Sequence, residues 1–213
     1  MELLKHTFFI NLDVRTDRLE HVSKQLEILG IENPERFSAI VNERGYIGCT
    51  QSHIRCLEMA IERGYEQVFI CEDDIQFTDI DTFKKSFEEF HNDNIEWDVL
   101  LVAGNNHEPY RVVKDSYMQI YNCQTNTGYV IKKHYYQELL NNFRESLYAL
   151  ENNPYNLNET ALYYKYGLDR NWTLLQEKDK WFIITPFTVI QKYSYSDIEK
   201  VWVDYSKIML NSL

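Results

Sequence analysis

Glycine and proline are scarce in this 213-residue sequence, at seven and four, and nowhere do they cluster. That excludes a flexible linker or a low-complexity segment, and no internal repeat is present. The chain therefore reads as one unit over residues 1–213. No run of about 18 apolar residues exists, so no membrane span is expected. The opening MELLKHTFFINLD lacks the apolar core and small-residue cleavage site of a secretory leader, which points to a cytoplasmic protein. The sequons at Asn158 and Asn171 then read as chance matches. Cys49, Cys56, Cys71 and Cys123 show no CxxC pairing, so reduced core thiols are expected and a zinc site is not. A net charge of -11 argues against a nucleic-acid partner. There is no P-loop and no G-x-G-x-x-G to cradle a phosphate, and no G-x-S-x-G elbow around Ser52-His53.

What is present is enough apolar material for a sizeable core: 44% hydrophobic residues, 15% aromatic. TFFINL (7–12) reads as a buried strand. A polar loop, DVRTDR, follows, with Thr16 the expected cap of a helix carrying Leu19, Val22, Leu26 and Leu29. RFSAI (36–40) reads as a strand, and YIGCTQSHIRCLEMAIERG as an amphipathic helix ending at Gly64. EQVFIC is a third strand. TFKKSFEEF is a helix, WDVLLVAG (97–104) a buried strand, and SYMQIYNC and TGYVI two more. KHYYQELLNNFRESLYAL is a long helix, WFIITP a strand, and DIEKVWVDYSKIML a closing helix. The alternation predicts an α/β sandwich with a mostly parallel central sheet and helices on both faces. In such sheets ligands bind beyond the carboxyl ends of the strands, where the loops after Leu12 and Cys71 fall.

The segment VFICEDDIQF (68–77) carries the chemistry. Glu72, Asp73 and Asp74 follow an apolar strand directly, and adjacent carboxylates at a buried strand end repel one another. A divalent ion binding through one or two carboxylates plus phosphate oxygens relieves that repulsion. A solvated strand end with an Asp helix cap is the plainer reading; three acids after a four-residue apolar run favour the functional one. Asn11, Asp13, Arg15 and Arg18 form a polar loop before a helix, suited to phosphate and ribose, or equally to a surface helix start. Ser52 and His53 are helix neighbours that point apart and make a poor nucleophile–base pair. Asp169, after Gly167, and Ser196-Asp197 each read on their own as helix caps.

Together and in this order, these segments resemble glycosyltransferase family 25, which includes lipopolysaccharide-type glycosyltransferases and collagen hydroxylysine galactosyltransferases. The matching stretches are FFINLDVRTDRLEHVSKQL, GYIGCTQSHIRCLEMAIERGYEQVFICEDDIQF, a small-polar segment leading into GYVI (126–131), Asp169, and YSYSDIE. The resemblance implies a GT-A type nucleotide-binding sandwich, Mn²⁺ or Mg²⁺, and a UDP-sugar donor. It places the metal first on Asp74, assigns Glu72 to metal, water or ribose, and lets Asp73 share either task, as metal or cofactor contact. Asn11, Asp13, Arg15 and Arg18 are then expected to hold the nucleotide. It implies an inverting displacement, with Asp169 as base and His53 second. Many GT-A enzymes complete the metal site with a late histidine; here the last is His134, leaving water, diphosphate or Asp197.

The expected activity is transfer of a hexose, galactose or glucose, from UDP-hexose to a saccharide or a hydroxylysine-linked collagen-like acceptor. A non-catalytic binding or adhesion module keeping the fold is the alternative, and a metal-dependent phosphohydrolase is disfavoured by the lack of a two-metal ligand set. Tyr155, Tyr163, Tyr164, Tyr166 and Trp172 crowd around Asp169, which suits either sugar stacking or core packing. The Tyr- and Trp-bearing closing helix offers a surface for a homodimer.

Overall fold

The computed structural model describes residues 2–211. The first strand, β1 (Thr7–Asn11), is buried along its length. Helix α1 (Thr16–Leu29) buries Val22, Leu26 and Leu29, spaced for one helical face. It stops at Gly30, whose φ of 91° lets its N–H turn back to Leu26 and Glu27 carbonyls. Strand β2 (Glu35–Ser38) and helix α2 (Gly45–Glu62) lead into β3 (Gln67–Glu72) and β4 (Ile75–Phe77). Helix α3 (Ile80–Asn92) is capped by Asp79, which accepts from the Thr82 N–H at 3.0 Å, and buries Phe83, Phe87 and Phe90. Burying each phenylalanine stabilises the fold by about 1.5–3 kcal/mol.

Five strands then run β5 (Val99–Leu101), β6 (Asn105–Asn106), β7 (Tyr110–Lys114), β8 (Tyr117–Ile120) and β9 (Cys123–Gln124), before β10 (Gly128–Lys132). Helices α4 (Tyr136–Asn152), α5 (Glu159–Tyr166), α6 (Leu168–Asn171) and α7 (Thr173–Gln176) precede β11 (Trp181–Ile184). The last elements are β12 (Val189–Gln191), β13 (Ser194–Tyr195), β14 (Trp202–Val203) and α8 (Ser206–Leu210).

The eight-stranded central sheet has the order β2-β1-β3-β10-β5-β11-β8-β7. β1 is parallel to β2 and β3, and β5 to β11; β10 runs against both β3 and β5, and β8 against both β11 and β7. Six strands thus point one way and two the other, so the sheet is mostly parallel in direction. Adjacent residues serve opposite faces. Phe8 and Ile70 join Leu57, Tyr129, Phe143 and Trp172 in one core layer, whereas Phe9 and Phe69 join Leu26, Phe83, Phe87 and Phe90 in the other.

Two expectations of the sequence are corrected. The closing segment is not one helix: only Ser206–Leu210 is helical, and residues 194–203 form the β13–β14 hairpin. Lys200 lies in left-handed space (φ 60°), and Ser196 and Val201 close the turn through their backbones, so Val201 and Trp202 face outward rather than into a helical stripe. Thr16 does not cap α1; Arg15 holds the cap position and makes no side-chain capping bond.

Candidate active site

The acids stand where the fold places them for a backbone reason. β3 is flanked by β1 and by the antiparallel β10, so its C-terminal end meets the end of β1 and the start of β10. The Glu72 N–H donates to the Thr127 carbonyl at 3.0 Å. A side chain at Gly128 would meet Val102, Phe69 and Cys71 at 3.0–3.2 Å, so glycine there lets β10 lie close against β3. The chain just before β10 is thereby pressed onto Glu72.

One cluster gathers around Arg18. Its Nη1 donates to Asp73 Oδ1 at 2.8 Å and Asp74 Oδ2 at 3.2 Å, and its Nη2 to Ser194 Oγ at 2.7 Å and the Tyr195 carbonyl at 3.0 Å. Asn11, buried at the end of β1, donates to Asp73 Oδ2 at 2.8 Å and to the Arg15 carbonyl at 3.1 Å. Arg15 forks onto Asp17 and pairs with Asp197. Asp74 is buried, and its Oδ1 has no hydrogen-bond partner. Burial, then repulsion from Glu72, pushes the Asp74 carboxyl up to about 8, and burial raises Asp73 as well, against the pull of Arg18.

A second cluster gathers around Glu72. Cys49 and His53 are four residues apart on α2 and so share a helix face. Asn126 Nδ2 donates to Glu72 Oε1 and lies against His53 Nε2, both at 2.9 Å. Cys49 Sγ is 3.4 Å from the same Glu72 oxygen. His53 is buried, and its Nδ1 meets the Tyr129 hydroxyl at 3.0 Å. With Glu72 ionised, Asn126 must present its NH₂ and not its carbonyl; His53 Nε2 is then the acceptor and Nδ1–H the donor to Tyr129. The other Glu72 oxygen has only Gln191 Nε2 at 3.5 Å, too long to count for much.

Asp169 faces this cluster from α6. Its Oδ2 accepts from the Thr125 N–H at 2.9 Å, one residue before Asn126. Burial raises its carboxyl above the usual range; the Thr125 N–H opposes that and Glu72 adds to it, so the two carboxylates feel one another. A carboxylate held this way is a proton acceptor closer to neutral pH than an exposed one.

The structure brings together Glu72, Asp73, Asp74, Asn11 and Arg18, and on the other side Glu72, His53 and Asp169. Arg15 and Asp197 pair with each other at the edge of the first group. Asp13 is turned elsewhere, accepting from Arg36 at 2.6 Å and Ser38 at 2.8 Å. Ser52 is structural, donating to the Gly48 carbonyl and accepting from the Ile40 N–H. Two members were missed in the sequence. Cys49 was legible as a C-x₃-H pair on one helix face, and Asn126 from its place just ahead of GYVI.

The model for "Glycosyltransferase family 25 (LPS biosynthesis protein)" matches residues 43–152, just over half of the 213-residue chain. The chain belongs to that family and is a glycosyltransferase. No curated protein matches it. Among solved structures it is similar to a mannose-1-phosphate geranyltransferase from Thermus thermophilus, with a TM-score of 0.51 and 10% identity over 88% of this chain and 76% of that one. It is also similar to A197 from STIV, with a TM-score of 0.47 and 14% identity over 94% and 93% of the two chains. A third is a glycosyltransferase involved in glycosylation of the major capsid of PBCV-1, with a TM-score of 0.42 and 10% identity over 84% and 91%. The first likeness is one of fold, and the α/β sheet is of the GT-A-like kind.

Proposed function

We propose, with membership of glycosyltransferase family 25 as the premise, that residues 1–213 act as one inverting, divalent-metal-dependent unit. It transfers a hexose from UDP-hexose to a hydroxyl of a saccharide or of a hydroxylysine-linked, collagen-like acceptor. The observation that carries this reading is the acidic end of β3, where Asp74 Oδ1 is buried with no partner. Glu72 Oε2 and Asp74 Oδ1 are the oxygens left under-used, and an all-oxygen set of this kind would suit Mn²⁺ or Mg²⁺. Glu72 and Asp74 would hold the ion; Asp197, paired with Arg15, would join only on giving up that contact. When bound, the ion supplies charge neutralisation for a leaving diphosphate.

The remaining roles fall to the protein's own groups. Arg18 and Asn11 hold Asp73 and Asp74 in place. Arg15, half-buried at the same edge, is the guanidinium best placed to turn toward a diphosphate. Asp169 takes the proton of the acceptor hydroxyl, its basicity set by burial and by Glu72. His53, with both ring nitrogens engaged, orients rather than abstracts.

Calorimetry of UDP with and without Mn²⁺, on wild type and Asp74→Ala, tests this reading. Binding that requires Mn²⁺ and disappears in the variant supports it, and turnover of UDP-glucose against UDP-galactose then identifies the hexose. Absence of UDP binding in either condition rejects it.

A further inference from the structure

The Glu72 cluster has a second property, which shares only Glu72 with the proposed donor-site metal. Cys49 Sγ, His53 Nε2 and a Glu72 carboxylate oxygen all lie within 4.8 Å of one another. Cys49 Sγ is 3.4 Å and His53 Nε2 3.6 Å from Glu72 Oε1. Tetrahedral zinc, with Zn–S of about 2.3 Å and Zn–N and Zn–O of about 2.0 Å, separates its ligand atoms by about 3.3–3.5 Å. Two of the three separations are therefore already close to the edges of a coordination tetrahedron. At the fourth corner is the Asn126 amide nitrogen, 2.9 Å from His53 Nε2, 2.9 Å from Glu72 Oε1 and 3.7 Å from Cys49 Sγ. An NH₂ group has two protons for these three acceptors, so one is always poorly served.

We infer that Cys49, His53 and Glu72 form a binding site for a Zn²⁺-type divalent cation, with the fourth position left to water or to the Asn126 carbonyl. Sulfur, imidazole and carboxylate together select zinc-like ions over Mg²⁺ or Ca²⁺. The ion enters between the three ligand atoms while the Asn126 NH₂ withdraws from the fourth corner, the thiol proton of Cys49 passes to solvent, and His53 coordinates through Nε2 as the neutral ring. The Tyr129 hydroxyl at 3.0 Å from His53 Nδ1 fixes the tautomer that leaves Nε2 free, the outer support such histidines need. Access is from the side of Cys49 and Glu72, both half-buried, since His53 is closed off. The site uses Glu72 Oε1 and does not involve Asp74.

Cobalt(II) is the probe, titrated into the metal-free, reduced full chain. The expected result is one equivalent bound with a thiolate-to-cobalt charge-transfer absorption, displaced by Zn²⁺ and not by excess Mg²⁺. Cys49→Ser abolishes the charge-transfer absorption and weakens Zn²⁺ binding by on the order of 100-fold or more, beyond the roughly 10- to 100-fold that loss of an outer-shell partner costs. Asp74→Asn keeps the absorption while losing Mn²⁺-dependent UDP binding, which separates this site from the proposed donor site. Saturation of the wild type with no thiolate band overturns the inference, as does a band that survives Cys49→Ser or is lost in Asp74→Asn. The wild-type spectrum decides even where a variant fails to fold.

Discussion

Replacing Asn126 with alanine removes one amide, leaving His53 Nε2 without a donor and Glu72 Oε1 with the Cys49 thiol alone. The His53 side chain is 0% exposed, whereas that of Glu72 is 19% exposed. A buried polar group left unpaired costs about 1–3 kcal/mol. His53 Nε2 bears that cost in full, because its ring cannot turn without giving up Tyr129 at 3.0 Å. Glu72 Oε1 recovers part of its loss from water and from the Cys49 thiol at 3.4 Å. The sum is about 2–3 kcal/mol, and for a chain of this length each kcal/mol moves Tm by about 2–4 °C. The expected fall is thus roughly 4–12 °C, read with metal chelated so that no cation substitutes for the amide. Urea denaturation of Asn126→Ala, His53→Ala and the double variant gives the pairwise coupling, expected to be about 1 kcal/mol or more. A single variant within about 0.5 kcal/mol of wild type would refute the bridging role given to Asn126, because ordinary surface changes lie in that range.

Three other outcomes are expected. Asp169→Asn lowers kcat by about 10²- to 10⁴-fold, the usual worth of a general base, while UDP affinity by calorimetry stays unchanged; an equal loss in binding would make Asp169 structural. In chelator, Asp74→Asn is more stable than wild type toward urea at high pH. The folded carboxyl keeps its proton up to about pH 8, the unfolded one only to about pH 4, so folding takes up a proton between these limits and wild-type stability falls as pH rises through them. The full displacement corresponds to about 6 kcal/mol. Arg18 loses an ionised partner in the variant, so a gain of about 1–3 kcal/mol at pH 8.5, vanishing near pH 4, is expected; a gain that does not change with pH would count against the burial argument. Gly48→Ala puts a methyl 2.3 Å from the Ile40 carbonyl oxygen. Backbone on both sides must shift, and a loss of more than about 2 kcal/mol by urea denaturation is expected; near-neutral stability would show that the 39–42 loop yields freely.

Long, periodic elements were legible and short ones were not. α1, α2, α3 and α4 show their buried faces in the spacing of apolar residues, and β1, β3, β10 and β11 in short apolar runs. β4 and β12 have three residues each, and β6, β9, β13 and β14 two, too few for a period to show. The closing segment misled because Ile198, Val201 and Trp202 fall at near-helical spacing, yet tertiary contacts override it: Arg15 and Arg18 hold Tyr195 and Asp197 in place. At the site, the acids announced themselves through an electrostatic conflict visible in the sequence. Their partners did not, since Asn126 is 54 residues from Glu72 and Ser194 is 176 from Arg18. The sheet order brings the first pair together, and the packing of the β13–β14 hairpin against α1 the second.

Charge counting connects the two clusters. Glu72, Asp73 and Asp74 together carry three formal negative charges at the end of one strand, against one positive charge from Arg18 in direct contact. The deficit of two is the charge of a single divalent ion. Without an ion the protein balances the group by holding the Asp74 carboxyl protonated well above its ordinary range, and by letting Asn126 and the Cys49 thiol shield Glu72. On the proposed function, a bound cation would replace both compensations, with Asp74 giving up its proton and the Asn126 amide giving up Glu72. On the same proposal, a strand end one cation short would gain more from binding metal and diphosphate together than it loses in the stability of the free protein.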